Sequence, residues 1–533
     1  MRVLLVYPSF PKTYWGAEHS LALVGKKSML PPLGLITVAS LLPRAWAVRL
    51  ADLNVRPLDA AELEWADVVF VSGMLVQRDS LHAVARAARA RGKPVVAGGA
   101  YASTSPDAIA AEVDCVVVGE AEELMASLVD ALERGGPLPR RLEADEYPDV
   151  TKAPTPRYDL LDISAYQSMG VQWSRGCPFN CEFCDIIEIF GRRARTKTPA
   201  QLLVELDAIH ATGFRGSLFI VDDNFIGNKV EARRLLPPLA GWMRAHHDPF
   251  YLYTEASLNL ATDDALIDAM VDAGFSSVFI GIETPDDEAL RHTQKLQNTT
   301  VDAAEAVAKL TRRGLEVMAG FIVGFDTDDA GAVERQRAWI GRSPIPLAMV
   351  GILIALPGTQ LERRLEREGR LVHESGGDNF MRTNFVTTLD EPTLLEGYAR
   401  LLADIYSPAA FYARALRCMA LCPVDRNRYR HPLGPGLACI ARAVWHEGVR
   451  SRHRAAFWRF FGQALLQSPR RLPRAVGFAI NAAHMIRYTE EEVLPRLYAS
   501  VAEAVRAPRR LERANIRLPV VGAAVTESEA ARS

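Results

Sequence analysis

Two series of short apolar strands that alternate with helices constrain the fold of this 533-residue chain more than any other feature. In the first series, helical stretches separate "RVLLVYP", "AVRLADLN", "ADVVFVSGM", "PVVAGGA" and "DCVVVGE", all within residues 1–135. Continuous β-branched runs between helices are typical of a parallel sheet with helical crossovers. The sequence therefore predicts an α/β fold that begins with a doubly wound parallel sheet.

The loops that follow these strands are the candidate ligand site of the first series. Open parallel sheets bind ligands beyond the carboxyl ends of their strands, and glycine there lets a ligand approach the backbone. Plain turn geometry explains the same glycines equally well. The candidate residues are Ser72, Gly73, Met74, Gly98, Gly99, Gly119 and Glu120.

The second series follows a stretch, 136–168, whose proline, glycine and charge content predicts a linker. Residues 169–375 contain six strand–helix repeats, from "VQWSRG" to "AMVGILIAL", without a GxGxxG motif. This pattern predicts a partial (β/α)6 barrel with its chemistry at the carboxyl ends of the strands. We expect a mostly helical extension over 376–515 and a frayed tail over 516–533.

The overall composition narrows the compartment and the partners. A formal net charge of −2 gives no general attraction for nucleic acid. Seven cysteines, an odd number with three close together, indicate a reducing compartment rather than a disulfide framework. No uncharged apolar run reaches 18 residues, and "MRVLLVYPSF" lacks the apolar region of a signal peptide. We therefore expect a cytoplasmic protein.

The segment "SRGCPFNCEFC" contains three cysteines: Cys177, Cys181 and Cys184. A disulfide uses two thiols and a structural zinc site usually takes four ligands. Four cysteines complete an ordinary iron–sulfur cluster, so three thiolates leave one iron free to bind a substrate. Gly176 and Pro178 fit a tight loop around such a cluster, with an aromatic residue shielding one side.

Zinc is the alternative, because Cys181 and Cys184 form half of a common zinc site. The other closely spaced pair, Cys418 and Cys422, lies far along the chain in a helical stretch. We interpret that pair, and Cys115 on an apolar strand, as buried small side chains. The missing second pair favours a cluster.

The C-x3-C-x2-C spacing, with the aromatic Phe183 before the third cysteine at the tip of a barrel's first strand, resembles the radical S-adenosylmethionine (SAM) superfamily. The resemblance implies that the three cysteines hold a catalytic [4Fe–4S] cluster whose fourth iron chelates SAM. Reductive cleavage of SAM would then give a 5′-deoxyadenosyl radical that abstracts hydrogen from an unactivated carbon. It also implies a reductase, flavodoxin or ferredoxin as electron donor.

The same resemblance extends to polar residues after the later strands. "VDDNF" offers residues near the SAM amino group, and "YTEAS" and "GIET" offer residues for the sulfonium and ribose. "MAGFIVGF" and "ALPGT" are similar to the strands that line the adenine site, and Arg175 either offsets cluster charge or lies at the surface. The implied cofactor-binding residues are Phe183, Asp222, Asp223, Glu255, Ser257 and Glu283, with Asn224 beside them.

The first sheet resembles the cobalamin-binding domains of class B radical SAM methylases, through "PPLGLITVASLLP", "VVAGGAYAS" and "VVVGEAEE". The resemblance implies cobalamin as a third cofactor. The chain lacks the D-x-H-x-x-G motif that supplies a histidine to cobalt, and His82 is expected on a helix surface. Cobalamin would therefore bind base-off, without a histidine ligand; a degenerate domain that has lost cobalamin is the alternative.

The extension looks like that of a subset that includes hopanoid C-2 methylases. Together these resemblances imply a C-methyltransferase acting on an sp3 carbon of a lipid such as a hopanoid, with one SAM methylating the corrinoid and a second generating the radical. A cyclase or rearrangement enzyme that transfers no methyl group is the first alternative. RNA modification is disfavoured because tRNA methylthiotransferases carry three more cysteines in the first domain, where this chain has only Cys115. A non-catalytic cobalamin sensor would not need the three thiols.

The extension also motivates the lipid hypothesis. Between Arg442 and Arg487 it carries nine arginines against one glutamate, Glu447, with aromatic residues among them. Such helices can lie on anionic membrane surfaces, which predicts a peripheral contact at the inner membrane. A solvated helical face covering the barrel is the alternative.

Overall fold

The computed structural model describes residues 1–424, 429 and 433–509. The predicted tail, 516–533, lies outside these residues, as do positions 510–515 of the predicted extension. The first part of the chain alternates strands and helices, as expected. Its elements are β1 Arg2–Tyr7, α1 Glu18–Val24, α2 Leu33–Leu41, β2 Ala47–Asp52, α3 Ala60–Trp65, β3 Val68–Ser72, α4 Arg78–Arg89, β4 Val95–Gly98, α5 Gly99–Thr104, α6 Pro106–Ala110, β5 Cys115–Val118, α7 Met125–Arg134 and β6 Arg141–Glu143.

The six strands form one parallel sheet in the order β2-β1-β3-β4-β5-β6. Successive side chains of a strand point to opposite faces, so β1 feeds two separate cores. Leu4 and Val6 pack against α3, α4 and α6, while Val3 and Leu5 pack against α2 and α7. The predicted doubly wound sheet is confirmed.

The segment predicted as a linker is tied to both sheets. It contributes β6 to the edge of the first sheet. The hydroxyl of Tyr166 donates to Asp52 Oδ2 (2.8 Å), and that of Tyr158 donates to the carbonyl of Gly170 (3.0 Å). Both tyrosines are buried, so this segment joins the two sheets rather than separating them.

The second part of the chain forms a sheet of six parallel strands in the order β14-β13-β12-β11-β10-β7, with a small antiparallel β8–β9 hairpin at its entrance. This is the predicted partial barrel. Its elements are β7 Ser168–Val171, β8 Ser174–Arg175, α8 Ile186–Ile189, β9 Arg195–Thr196, α9 Pro199–Ala211, β10 Gly216–Ile220, α10 Lys229–Ala245, β11 Phe250–Glu255, α11 Asp264–Asp272, β12 Phe275–Glu283, α12 Asp287–His292, α13 Ala303–Arg313, β13 Glu316–Val323, α14 Ala332–Arg342, β14 Ala348–Ile352 and α15 Gln360–Arg367.

The barrel strands bury one face fully and leave the other partly open. On β13, Val317, Ala319 and Phe321 are buried, whereas Met318 and Gly320 between them are only partly covered. The fully buried face belongs to the core that includes the surrounding helices. The partly covered face therefore lines an open lumen.

The remaining elements are helical, as expected: α16 Glu391–Ile405, α17 Pro408–Leu421, α18 Leu433–Ala443, α19 Arg454–Gln467, α20 Leu472–Tyr488 and α21 Leu494–Arg506. Two π-helical turns, Val444–Arg450 and Thr489–Val493, lie between them. The extension is anchored to the barrel, since Tyr406 donates its hydroxyl to the carbonyl of Ala348 (2.7 Å). Cys418, on α17, Cys422, just beyond it, and Cys115, on β5, are all buried. None of the helices within the described ranges is long and apolar enough to cross a membrane.

Candidate active site

The three cysteines lie in the loop between β8 and β9, beyond the carboxyl end of β7. Gly176 has a φ of +88°, and a Cβ at this position would lie 2.8 Å from the carbonyl oxygens of Phe190, Gly191 and Arg193. The amide of Cys177 donates to the Gly191 carbonyl (3.2 Å). Only glycine fits this position, because the start of the loop packs closely against the backbone of its return segment, residues 190–193.

The thiols are free and largely enclosed, with amide donors close to two of them. Burial raises the pKa of Cys177 and of Cys184, so without a metal both would be protonated at neutral pH. Asn224 Nδ2 lies 3.9 Å from the sulfur of Cys177, and Gln297 Nε2 lies 3.4 Å from that of Cys181. Such donors stabilise sulfur that carries negative charge, which is the state that binds iron.

The donor set fits an iron–sulfur cluster. Three thiols from one loop offer soft ligands, and no fourth cysteine accompanies them within the described residues. In the same part of the chain, no three His, Cys, Asp or Glu side chains converge as a single metal ion requires. A four-iron cluster binds each thiolate through a different iron, so its three thiols need not converge on one point.

A buried ion pair stands beside the thiols. Lys295 Nζ donates to the carboxylate of Glu283, and it lies 5.7 Å from the ring centroid of Phe183. Burial alone would lower the pKa of Lys295, but Glu283 and the thiols of Cys181 and Cys184 raise it above its usual value. The ammonium therefore stays charged and faces the region where a cluster's negative charge would lie.

Glu283 is held in an unusual backbone conformation. It ends β12 with a φ of +66°, at a register irregularity against β13. Asn298 Nδ2 donates to the carbonyls of Gly281 (2.8 Å) and Ile282 (3.1 Å), which fixes the preceding strand end. A non-glycine residue in this region is strained, and such strain is often found at functional sites.

The two aspartates after β10 have different surroundings. Asp222 accepts hydrogen bonds from the amides of Trp173 (2.7 Å) and Ser174 (2.9 Å) and from the Ser174 hydroxyl (2.7 Å). Its carboxylate is therefore used to hold the start of the cysteine loop. Asp223 accepts one bond, from the Gly176 amide (3.2 Å), and burial raises its pKa to about 6.

Glu255 ends β11 and Ser257 follows it, and Asn224 Nδ2 lies near both Ser257 and Cys177 of the cysteine loop. Ser257 donates to Asn259 Oδ1 (2.7 Å) and accepts from Asn224 Nδ2 (3.1 Å). Burial raises the pKa of Glu255 to about 8, with Asp223 adding to the effect. A partly covered carboxyl with this pKa suits a cationic ligand that would restore its charge.

The predicted residues of the first sheet lie together at its carboxyl edge. Gly73 accepts a hydrogen bond from the Tyr101 amide (3.0 Å), and a Cβ on Gly99 would collide with the hydroxyl of Ser72. These glycines thus allow two loops to pack closely. Gly119, with a φ of +82°, has open space around its missing Cβ, and Met74 is half exposed, which leaves this edge accessible to a flat ligand. Gly98 ends β4 between them.

His82 is held by side chains of the first domain. Its ring contacts the Tyr101 hydroxyl (2.9 Å) and the Glu112 carboxylate (3.1 Å) on the flank of α4. Both ring nitrogens are therefore engaged by other side chains.

Glu120 is part of a buried network of ion pairs. The sequence assigned it to the ligand loops, but the structure places its carboxylate between the guanidinium groups of Arg175 and Arg195. Arg175 also contacts Glu122 (2.7 Å) and all four side chains are largely buried. This charged network connects the loop after β5 directly to β8 and β9, so Arg175 is not a surface residue and the Glu120 carboxylate is engaged within the protein.

Sequence reasoning found the thiols and the acids but missed three of their neighbours. Lys295 and Gln297 lie in a polar stretch between α12 and α13 that carries no motif, and Arg195 lies in the short strand β9. Arg195 contacts Glu120, 75 positions away, and Gln297 contacts Cys181, 116 positions away. The buried polar pair "QN" at 297–298 is the one local signal of a structured loop there.

Models of three families match the chain in the same order. The B12 binding domain matches residues 23–129, the radical SAM superfamily residues 171–335, and a domain of unknown function, DUF4070, residues 359–494. An uncharacterized methyltransferase of Synechocystis is 44% identical over 92% of both chains. The hopanoid C-2 methylase of Rhodopseudomonas palustris is 35% identical over 92% of this chain and 94% of its own.

This chain belongs to the cobalamin-binding radical SAM methylases.

Solved structures agree on the fold. The radical SAM methyltransferase TsrM of Kitasatospora setae, with cobalamin and a [4Fe–4S] cluster bound, aligns with a TM-score of 0.59 over 87% of this chain and 99% of its own, at 15% identity. OxsB with aqua-cobalamin aligns with a TM-score of 0.58 over 94% of this chain and 84% of its own, also at 15% identity. This methylase is thus a cobalamin-dependent radical SAM methyltransferase whose cofactors are a [4Fe–4S] cluster, SAM and cobalamin.

Proposed function

We propose that this methyltransferase adds a methyl group to an unactivated sp3 carbon of a hopanoid. The observation that carries the proposal is the similarity to the hopanoid C-2 methylase, which extends over nearly the whole of both chains and includes the C-terminal extension. The open barrel lumen supports an apolar substrate, because partly covered Phe219 and Tyr253 stack there with ring centroids 4.5 Å apart.

In this proposal Cys177, Cys181 and Cys184 hold the cluster. When bound, the cluster supplies the electron that cleaves SAM, and the corrinoid supplies the methyl group. The electron comes from a low-potential donor of the flavodoxin or ferredoxin class, or from a reductase. Lys295 balances the charge of the cluster, and Phe183 screens it from water.

The SAM-binding residues are assigned by their places around the barrel mouth. Glu255 faces the cationic sulfonium, since its carboxyl is partly covered and its pKa is raised. Ser257 contacts the ribose, and Glu283 is oriented by Lys295. Asp223 lies close to the amino group, whereas Asp222 positions the loop and makes no contact with SAM of its own.

The corrinoid site is assigned to Ser72, Gly73, Met74, Gly98, Gly99 and Gly119. These residues form the accessible edge of the first sheet and expose backbone and one apolar side chain. Glu120 positions this edge against the cysteine loop through Arg175 and Arg195.

The function can be tested in a bacterium that makes hopanoids but does not methylate them. Expression of the chain with a cobalamin supply is expected to produce methylhopanoids, detected by mass spectrometry of extracted lipid. The Cys181→Ala variant serves as the control and should produce none. Unmethylated hopanoids in cells whose purified enzyme contains both cluster and corrinoid would contradict the proposed substrate.

We further propose that α19 and its neighbours contact an anionic membrane, where such a substrate resides. Trp445, Trp458 and Leu466 are exposed, Leu466 to 88%, although apolar side chains of this size are usually buried. The exposed Arg454 and Arg459 lie on the same helix. Apolar side chains among arginines are the pattern of an interfacial surface.

Vesicle flotation tests this contact. Reversal of Arg454, Arg459 and Arg470 to Glu should abolish flotation with phosphatidylglycerol vesicles. A second variant, with Arg44, Arg312 and Arg367 reversed, has the same net charge and should still float. Equal flotation of both variants would contradict the proposed surface.

A further inference from the structure

Trp15 is half exposed although the chain on either side of it is firmly held. Tyr14 is buried and its hydroxyl shares a hydrogen bond with that of Thr489 (2.6 Å). The amide of Gly16 donates to the carbonyl (3.2 Å) and hydroxyl (3.0 Å) oxygens of Thr13. The fold holds the Trp15 backbone in a fixed position, yet the indole remains 51% exposed. Its position is therefore not explained by packing in the core.

An aromatic neighbour of Trp15 belongs to the barrel. Its ring meets that of Phe279 edge to face, with centroids 4.8 Å apart. On β12, Val278 and Ile280 are fully buried in the outer core, whereas Phe279 between them is partly covered and points into the lumen. Trp15 therefore reaches from the loop after β1 to the inner wall of the barrel.

This aromatic pair adjoins the candidate active site. A Cβ on Gly320 would lie 3.1 Å from the Phe279 ring and 3.9 Å from Glu283 Oε2, so the ring and the carboxylate lie over the same glycine. Glu255 is the register partner of Phe279 on β11. The Phe279 ring is thus a near neighbour of the Glu283–Lys295 pair, and this pair borders the thiols.

The strand residues beside Phe279 on the lumen face of β13 are small or only partly covered. Gly281 and Gly320 are register partners without side chains, and Met318, the register partner of Phe279, is also only partly covered. The Phe279 ring therefore has Met318 and Gly320 on one side, and the carboxyl groups of Glu255 and Glu283 border this apolar patch. The patch itself, with Trp15 beside it, suits an apolar ring held next to the charged groups of the candidate active site.

We propose that Trp15 and Phe279 form the subsite for the apolar ring of the substrate that receives the methyl group. Trp15 covers one face of that ring, so it determines specificity without taking part in the chemistry. This inference rests on the proposed function for the identity of the substrate, a polycyclic hydrocarbon. The corrinoid is the other possible occupant of the site, and the test separates the two.

The test compares Trp15→Ala and Trp15→Phe with Tyr498→Ala in holoenzyme supplied with detergent-dispersed hopanoid. Tyr498 is a suitable control because it is 53% exposed and lies on α21, in the C-terminal extension. Trp15→Ala should raise the KM for hopanoid about tenfold, as expected for the loss of one apolar contact. It should also raise the amount of 5′-deoxyadenosine formed per methylated product, while iron and corrinoid contents stay at wild-type levels.

Trp15→Phe should restore most of the affinity, and Tyr498→Ala should behave like the wild type. An unchanged KM in Trp15→Ala would overturn the subsite. Loss of corrinoid from Trp15→Ala at an unchanged KM would also overturn it, because Trp15 would then contact the cofactor instead.

A second measurement separates this inference from the proposed substrate. If the wild-type holoenzyme methylates no hopanoid, the proposed function fails, and binding of pyrene, a flat hydrocarbon, is measured instead by fluorescence. Weaker pyrene binding by Trp15→Ala alone would support the subsite for another hydrocarbon. Equal binding by the wild type, Trp15→Ala and Tyr498→Ala would overturn it.

Discussion

Gly176 shows how closely the cysteine loop is packed. Because a Cβ there would lie within 2.8 Å of three backbone carbonyls, Gly176→Ala should displace the loop. We expect the variant to retain less than about a tenth of the wild-type iron and sulfide after anaerobic reconstitution, since all three ligands come from this loop. The measurement is iron and sulfide content per chain, together with cluster absorbance.

Gly213 provides the control for Gly176→Ala. Its φ of +83° matches that of Gly176, but a Cβ there meets no atom within 4 Å. Gly213→Ala therefore introduces the same backbone strain without the collision and should keep its cluster. Full cluster content in Gly176→Ala would show that the loop is more adaptable than its geometry indicates.

At the residue scale, the sequence predicts what is local and misses what is distant. The three cysteines are close together in sequence, and their spacing alone indicates their chemistry. Lys295 lies near the cysteines only because the chain after α12 comes back to the barrel mouth. No sequence pattern near Lys295 predicts this contact. Asp222 and Asp223 are equivalent in sequence, yet three hydrogen bonds from Trp173 and Ser174 give one of them a positioning role.

At the scale of elements, the loop after β5 and the β8–β9 hairpin are joined by the buried network around Glu120. Glu120→Gln would leave Arg175 and Arg195 without the carboxylate that lies between them. Removing one partner from a buried ion pair costs about 3–5 kcal/mol. We expect a loss of that order in the free energy of unfolding, measured by denaturant titration, and faster removal of iron by a chelator.

The Arg141–Glu143 pair provides the comparison for Glu120. Both side chains are about half exposed on β6, so Glu143→Gln should leave stability and chelation rate nearly unchanged. Similar behaviour of the two variants would mean that the network around Glu120 does not support the cysteine loop.

The sequence predicts the regular elements because each barrel strand is an apolar run bounded by turn residues. The sequence does not predict β6, since "RLE" is three residues long and has no apolar pattern. It forms because the edge of β5 offers unpaired backbone groups, which is a property of the folded sheet. For the same reason, composition alone predicts a linker where the structure has a strand and two buried tyrosines.

At the scale of the whole molecule, the segment 12–20 fastens the first sheet to the C-terminal helices. His484, buried on α20, contacts the carbonyl of Thr13 through Nε2 (2.9 Å) and accepts the His19 amide at Nδ1 (3.4 Å). Burial lowers the pKa of His484 to about 4. The neutral ring is thus part of the folded state, and Glu18 and Lys12 are the other charged groups that face it.

This linkage predicts that acid loosens the contact. Since the unfolded pKa of histidine is about 6.5, the stabilisation is complete above that pH and is lost as the pH falls towards 4. We expect a decrease of about 3 kcal/mol in the free energy of unfolding over that range. His484→Gln should remove most of this dependence while Glu18 continues to titrate. The exposed His446→Gln variant should retain it, and identical pH profiles for the two variants would contradict the account.

The central claim is that one chain combines radical generation with methyl transfer, and the products of anaerobic turnover test it most directly. Holoenzyme with a reductant, hopanoid and SAM carrying a deuterated methyl group should form deuterated methylhopanoid, 5′-deoxyadenosine and S-adenosylhomocysteine in equal amounts. That ratio would confirm that each turnover uses one SAM for the radical and one for the methyl group. Formation of 5′-deoxyadenosine with no S-adenosylhomocysteine and no labelled product would contradict it.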